Sequence, residues 1–162
     1  FICPECGNVL KKRPSDIIRR GIRCRICGDG ISIPNKFMEQ ILLSLEIKYT
    51  PEKIFDWSNN KKYDFYLDDY NALIEVMGIQ HYKDTHMGNR SFEEEQSNDI
   101  VKRKLAICNG VSKYYIIDFR YTDLDYMKNS FIKSDLFKDL NLELNCVDYV
   151  ECWKKSFSSK MV

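Results

Sequence analysis

Residues 63–77 read Tyr63-Asp64-Phe65-Tyr66-Leu67-Asp68-Asp69-Tyr70-Asn71-Ala72-Leu73-Ile74-Glu75-Val76-Met77. Two runs of aromatic and branched residues flank a polar tip, Asp68-Asp69-Tyr70-Asn71, a pattern that predicts a β-hairpin. With that tip as the loop, Leu67 pairs with Ala72, Tyr66 with Leu73, Phe65 with Ile74 and Asp64 with Glu75. Side chains alternate between the faces of a strand. One face is therefore expected to carry Tyr63, Phe65, Leu67, Ala72, Ile74 and Val76 and to be buried. The other presents Asp64 and Glu75 directly opposite each other, with Cβ atoms about 5 Å apart. Opposed like charges destabilise a sheet unless something neutralises them. A hard divalent cation bound by carboxylate oxygens would do so. The plainer alternative is an exposed acidic edge with no ligand.

Around the hairpin the pattern alternates between helix and strand. From Asn35, Phe37, Met38, Ile41, Leu42 and Leu45 fall on one helical stripe with Glu39 toward its edge. Ile54–Trp57 is a short strand candidate and Asn59-Asn60 a turn. A longer helix is expected from Phe92 to Asn109, with Ser91 and Glu94 at capping-box spacing and Gly110 as its stop. Lys113–Phe119 is a further strand whose apolar run suits burial. Shorter helices are expected near Leu124–Leu140 and Tyr149–Phe157. The fold class this predicts is α/β (α+β), a mixed central sheet flanked by helices.

The front of the chain is different. Cys3-Pro4-Glu5-Cys6-Gly7 and Cys24-Arg25-Ile26-Cys27-Gly28 form two Cys-x-x-Cys pairs separated by seventeen residues. Four thiolates at this spacing close a tetrahedral Zn²⁺ shell at roughly 2.3 Å per bond, leaving no open position, so the zinc expected here is structural. With seven cysteines in all, an odd number, the chain reads as a metal binder in a reducing compartment rather than a disulfide framework. Domains are accordingly expected at 1–33, a small zinc ribbon, and 34–162, with Pro34 at the boundary.

Net charge is only +1, but residues 1–30 carry seven basic residues against three acidic, and the remainder is acidic. Lys11, Lys12, Arg13, Arg19 and Arg20 therefore read either as contacts to a nucleic-acid backbone or as a solvated face of a stapled module. Hydrophobic residues make up 44% of the chain, enough for a core, which excludes a disordered chain. No signal peptide is visible and no apolar run approaches the ~20 residues of a membrane span. The expected location is cytoplasmic, that of a host cell if a phage encodes the chain. The first residue is Phe1 rather than Met, so upstream sequence is expected.

Asp64, ten intervening residues and Glu75 on the second strand resemble the core of the PD-(D/E)XK nucleases. The longer run through Gly78-Ile79-Gln80-His81-Tyr82, with Asp99, Lys102 and Lys104 ahead of Tyr115-Ile116-Ile117-Asp118-Phe119-Arg120, is similar to a phage and mobile-element branch. That branch includes homing endonucleases related to the very-short-patch repair endonucleases. The resemblance covers about residues 36–125. It implies an endonuclease that hydrolyses phosphodiesters of double-stranded DNA with Mg²⁺ or Mn²⁺ held by Asp64 and Glu75, and a ribbon that holds DNA.

Two positions depart from or qualify that pattern. The family's lysine falls at Met77, so Gln80 or His81 is expected in its place. Strict alternation puts His81 on the face of Glu75, and a bulge at Gly78 would swap the two. His81 can orient or deprotonate water, whereas Gln80 can only position it. Glu39 matches the family's helix carboxylate or is a plain surface glutamate. Lys102 either contacts the scissile phosphate or pairs with Asp99 one turn away. The alternative function is a non-catalytic nucleic-acid-binding protein with a degenerate nuclease core. RNA and branched DNA remain open as substrates.

Overall fold

The computed structural model describes residues 30–83 and 91–158 together with Ile2, Val9 and Lys11. Cys3, Cys6, Cys24 and Cys27 lie outside the described residues, as do Lys12, Arg13, Arg19, Arg20 and His86. Lys11 is exposed, and Ile2 and Val9 form an isolated antiparallel bridge.

Helix α1, Ile33–Ser44, starts where the Ser32 hydroxyl accepts the Asn35 N–H. Pro34 stands in its first turn, a place where a missing N–H costs nothing. Strands β1 (Thr50–Ile54), β2 (Lys62–Leu67), β3 (Ala72–Met77) and β4 (Lys113–Asp118) form one sheet in the order β1-β2-β3-β4. β1/β2 and β2/β3 are antiparallel and β3/β4 parallel, so the sheet is mixed. The parallel step requires a crossover, which contains helix α2, Phe92–Cys108. Helices α3 (Leu124–Lys133), α4 (Asp135–Asp139) and α5 (Tyr149–Ser158) complete an α+β architecture. Among the described residues no helix is long and apolar enough to cross a membrane.

Two hydrophobic clusters sandwich the sheet. The larger joins Phe37, Met38, Ile41 and Leu42 of α1 to Phe65, Leu67, Ile74 and Ile117, with Phe131 and Tyr149 beyond. The smaller joins Tyr63, Leu73 and Ala106 to Phe55, Trp57 and Tyr114. The hairpin register runs Phe65↔Ile74, Tyr66↔Leu73 and Leu67↔Ala72, as its turn residues and pattern predicted. Asn71 takes the left-handed conformation at the end of the tip, which Asn tolerates well.

The structure corrects several expectations. The strand expected at Ile54–Trp57 lies earlier, at Thr50–Ile54, and Asp56–Ser58 is a 3₁₀ turn. There Phe55 and Trp57 stack on each other at 4.5 Å, and the Ser58 hydroxyl accepts the Phe55 N–H, so an apolar alternation serves a turn. Tyr63 does not share the core of Phe65 and Leu67 but packs with Leu73 and Ala106. The described β2/β3 pairing stops at Phe65↔Ile74. Past it the Asp64 carboxylate takes the Val76 N–H at 2.8 Å, so strict alternation no longer holds.

Among the described residues β4 is an edge strand, and Ile116 on it is exposed rather than buried. The helical stretch 124–140 breaks at Ser134, whose hydroxyl donates to the Phe131 carbonyl and accepts the Phe137 N–H.

Candidate active site

Asp64 and Glu75 stand on neighbouring strands of the hairpin; Glu75 is buried and bonded from α2, while Asp64 is half-buried. Glu75 is only 3% exposed. Its Oε2 accepts from Lys102 Nζ at 2.6 Å, while its Oε1 is buried with no hydrogen-bond partner among the described residues. Asp64 is held at both oxygens. Oδ2 accepts the Val76 N–H, and Oδ1 accepts from the Asn35 side-chain amide at 3.2 Å. Burial raises the pKa of Asp64 against the opposing pull of Val76, Lys102, Asn35 and His81. Burial, and then the charge of Asp64, push Glu75 up to about 7 despite Lys102. Two desolvated carboxylates thus share one lysine cation. A buried lone-pair site on Glu75 with no donor is a place where a further cation lowers the energy. The two carboxylates, with this orphaned oxygen, are oxygen donors of the kind a divalent cation takes, and they are two rather than three among the described residues.

Lys102 reaches the carboxylates because α2 lays one face on the sheet. Asp99, Lys102 and Ala106 are spaced at three and four residues, so they share that face. Ala106 packs beside Tyr63 and Leu73. The Tyr63 hydroxyl donates to the Lys102 carbonyl at 2.9 Å, and the Lys102 ammonium lies 5.0 Å from the centre of the Tyr63 ring. The sequence left Lys102 to a phosphate or to Asp99. In the structure it bonds Glu75, and Asp99 is engaged elsewhere.

Asp99 accepts from His81 Nδ1 at 2.7 Å. A carboxylate only accepts, so Nδ1 carries the proton and Nε2 is left to act. Burial lowers the His81 pKa, but the bond and charge of Asp99, helped by Glu95 and Asp64, outweigh it and leave the pKa raised. The alternation argument for choosing between Gln80 and His81 does not apply. The strand ends at Met77, and Ile79–His81 form a 3₁₀ turn. Gln80 is exposed, and its amide folds over Gly78 so closely that a Cβ there would meet its Oε1 at 2.7 Å. Gly78 therefore provides close approach rather than a bulge.

Glu39 is buried, at 1% exposure, rather than at a surface edge, and it accepts the Tyr49 hydroxyl at 2.7 Å. Among the described residues no three His, Cys, Asp or Glu side chains cluster closely enough to hold a metal, so Glu39 does not complete a triad with Asp64 and Glu75. Met77 is buried in the position beyond Glu75 and Val76.

Sequence reasoning missed Asn35, although it stands one turn before Glu39 on α1 and that spacing marks the face turned to the hairpin. It also missed Tyr114, whose buried hydroxyl has no partner. Burial and the nearby charge of Glu75 hold that hydroxyl protonated. No protein-family model, curated protein or solved structure matches the chain.

Proposed function

We propose that this chain is a metal-dependent DNA endonuclease with a core of the PD-(D/E)XK kind, in which Lys102 stands where Met77 has displaced the usual lysine. The observation that carries the reading is the group of half-buried Asp64 with buried Glu75 and Lys102, in which one Glu75 oxygen has no partner among the described residues. Mg²⁺ or Mn²⁺ held by Asp64 and Glu75 would supply Lewis-acid polarisation of a phosphodiester and a more acidic water. Asn35 and the Val76 N–H fix the Asp64 carboxylate so that its free lone pairs keep one direction. Lys102 holds positive charge beside Glu75, where it can orient the attacking water and offset charge building on the phosphorus oxygens. His81, locked through Nδ1 by Asp99, offers Nε2 to accept or return a proton near neutral pH. Gln80, exposed beside it, retains only a water-positioning role.

The two Cys-x-x-Cys pairs support one structural Zn²⁺ per chain. The Ile2–Val9 bridge, which flanks Cys3 and Cys6 in sequence, is compatible with a metal-binding knuckle. Its basic residues Lys11, Lys12, Arg13, Arg19 and Arg20 would contact the DNA backbone.

Plasmid cleavage with Mg²⁺ tests the reading: wild type should nick or linearise, and Asp64→Ala should lose at least about 100-fold. Equal cleavage by the variant would remove the site assignment. A second reading is favoured by Met77 and by the lack of a third clustered carboxylate among the described residues. It makes the chain a nucleic-acid binder with a degenerate core. It requires wild type to bind DNA without nicking it in Mg²⁺ or Mn²⁺. Running linear, branched and RNA substrates in parallel assigns the substrate class.

A further inference from the structure

The segment Asp118-Phe119-Arg120 begins at the last residue of β4 and has no part in the site described so far. β3 and β4 run in parallel with Glu75 beside Ile116 and Met77 beside Asp118. Asp118 therefore shares the sheet face of Glu75, one strand over and two residues along, a backbone separation of about 8 Å. The Phe119 N–H donates to the Met77 carbonyl at 2.9 Å, which carries the ladder past the ends of both strands. Arg120 then turns back. Its Nε donates to Asp118 Oδ1 at 2.9 Å and Oδ2 at 3.0 Å, and its Nη2 donates to Oδ2 at 2.6 Å. Its guanidinium carbon lies 3.6 Å from the centre of the Tyr82 ring, and Tyr82 is the residue after His81. The Ser130 hydroxyl pins the Asp118 carbonyl at 2.6 Å.

The Arg120 side chain is thus oriented by Asp118 and by the ring of Tyr82, yet is a third exposed. An ion pair at that exposure contributes at most about 1 kcal/mol to stability, too little for the pair to matter much as a staple. Asp118 engages the Nε and Nη2 donors and leaves the Nη1 edge of the fork uncommitted to it. A guanidinium stacked on Tyr82, held by Asp118 through Nε and Nη2 and partly exposed, suits a phosphate oxygen. It also stands at the carboxyl ends of parallel strands, where ligands of open α/β sheets collect.

We propose that Arg120, clamped between Asp118 and the ring of Tyr82, docks a backbone phosphate of the DNA strand one or two nucleotides from the bond at Asp64 and Glu75. The placement relative to a cleaved bond rests on the nuclease reading; the phosphate contact does not. The test is duplex-DNA binding by the full chain, read by fluorescence anisotropy over a range of salt with no added divalent cation. Arg120→Gln should weaken binding about tenfold and reduce the slope of log affinity against log salt by about one. Tyr82→Leu keeps the charge but frees the side chain, so it should weaken binding several-fold while the slope holds.

Wild-type affinity and slope in Arg120→Gln would overturn the proposal. Should that variant fail to fold, wild-type affinity in Tyr82→Leu would overturn it instead. A lost slope unit in a chain that never nicks DNA upholds the phosphate contact and removes the nuclease reading. Nicking with an unchanged slope does the reverse.

Discussion

At the scale of single residues, the decisive contact is between Lys102 and Glu75, 2.6 Å apart and both buried. Replacing Lys102 by Met keeps the volume roughly and removes the charge. Cleavage by Lys102→Met should fall by about 100-fold or more, as for loss of an acid–base or electrostatic group. Buried Glu75 is then left without its cation, so the metal-free variant should be destabilised by about 3 kcal/mol. Chemical denaturation with and without Mg²⁺ reads both effects, and undiminished cleavage would exclude Lys102 from the chemistry.

Glu75 also makes stability depend on pH. Its pKa rises from 4.5 to about 7 on folding. Between those values the folded chain keeps a proton that the unfolded chain has released. The stability this provides is complete below about pH 4.5 and is lost as pH rises through 7. The raised pKa of His81 acts in the same direction. From pH 5 to pH 8 the Tm of the metal-free protein should fall by roughly 5 °C. Mg²⁺ should restore much of it at pH 8, and Glu75→Gln should flatten the profile. A metal-free Tm that climbs over this window would contradict the burial of Glu75.

At the scale of elements, α2 is the part on which the site depends, because it alone brings Asp99 and Lys102 to the sheet. Its first turn is closed by a capping box. The Ser91 hydroxyl accepts the Glu94 N–H, and the Glu94 carboxylate accepts the Ser91 N–H at 2.8 Å. Ser91→Ala should cost about 1 kcal/mol, measured by urea unfolding. Three acidic residues in that turn also favour the helix N-terminus.

This cap was legible in the sequence, since it depends on residues three apart. Which face of α2 turns inward was not. Ile100, Val101 and Ile107 are exposed while Lys102 is buried, the reverse of what hydrophobic periodicity implies. The inward face is chosen by the carboxylates and by Tyr63, which lie far away along the chain. The same limit explains Tyr63 itself. Alternation assigned it to the wrong core because the Asp64 side chain interrupts the ladder, and a period of two assumes an unbroken one.

At the scale of the whole molecule, Phe37 ties the layers together. Its fully buried ring meets Phe119 beyond β4 and Trp153 of α5, each with centroids 5.8 Å away. Phe37→Ala should cost about 3–5 kcal/mol, visible as a large drop in the denaturation midpoint. Since α1 also carries Asn35, cleavage should decline with it. A midpoint shift worth under 1 kcal/mol would show that the layers are held otherwise.

By itself the sequence determined the pairing of Phe65, Tyr66 and Leu67 with Ile74, Leu73 and Ala72, the strand that follows α2, the cap of α2, and the placing of Asp64 and Glu75 on neighbouring strands. Each of these follows from residues within a few positions of one another or across a tight turn. Only the tertiary structure decided that Asn35 steadies Asp64, Lys102 joins Glu75 and Asp99 locks His81, across separations of 29, 27 and 18 residues. Those contacts depend on how two helices dock on opposite faces of one sheet. Docking is set by the summed packing of many side chains, which a local pattern does not encode.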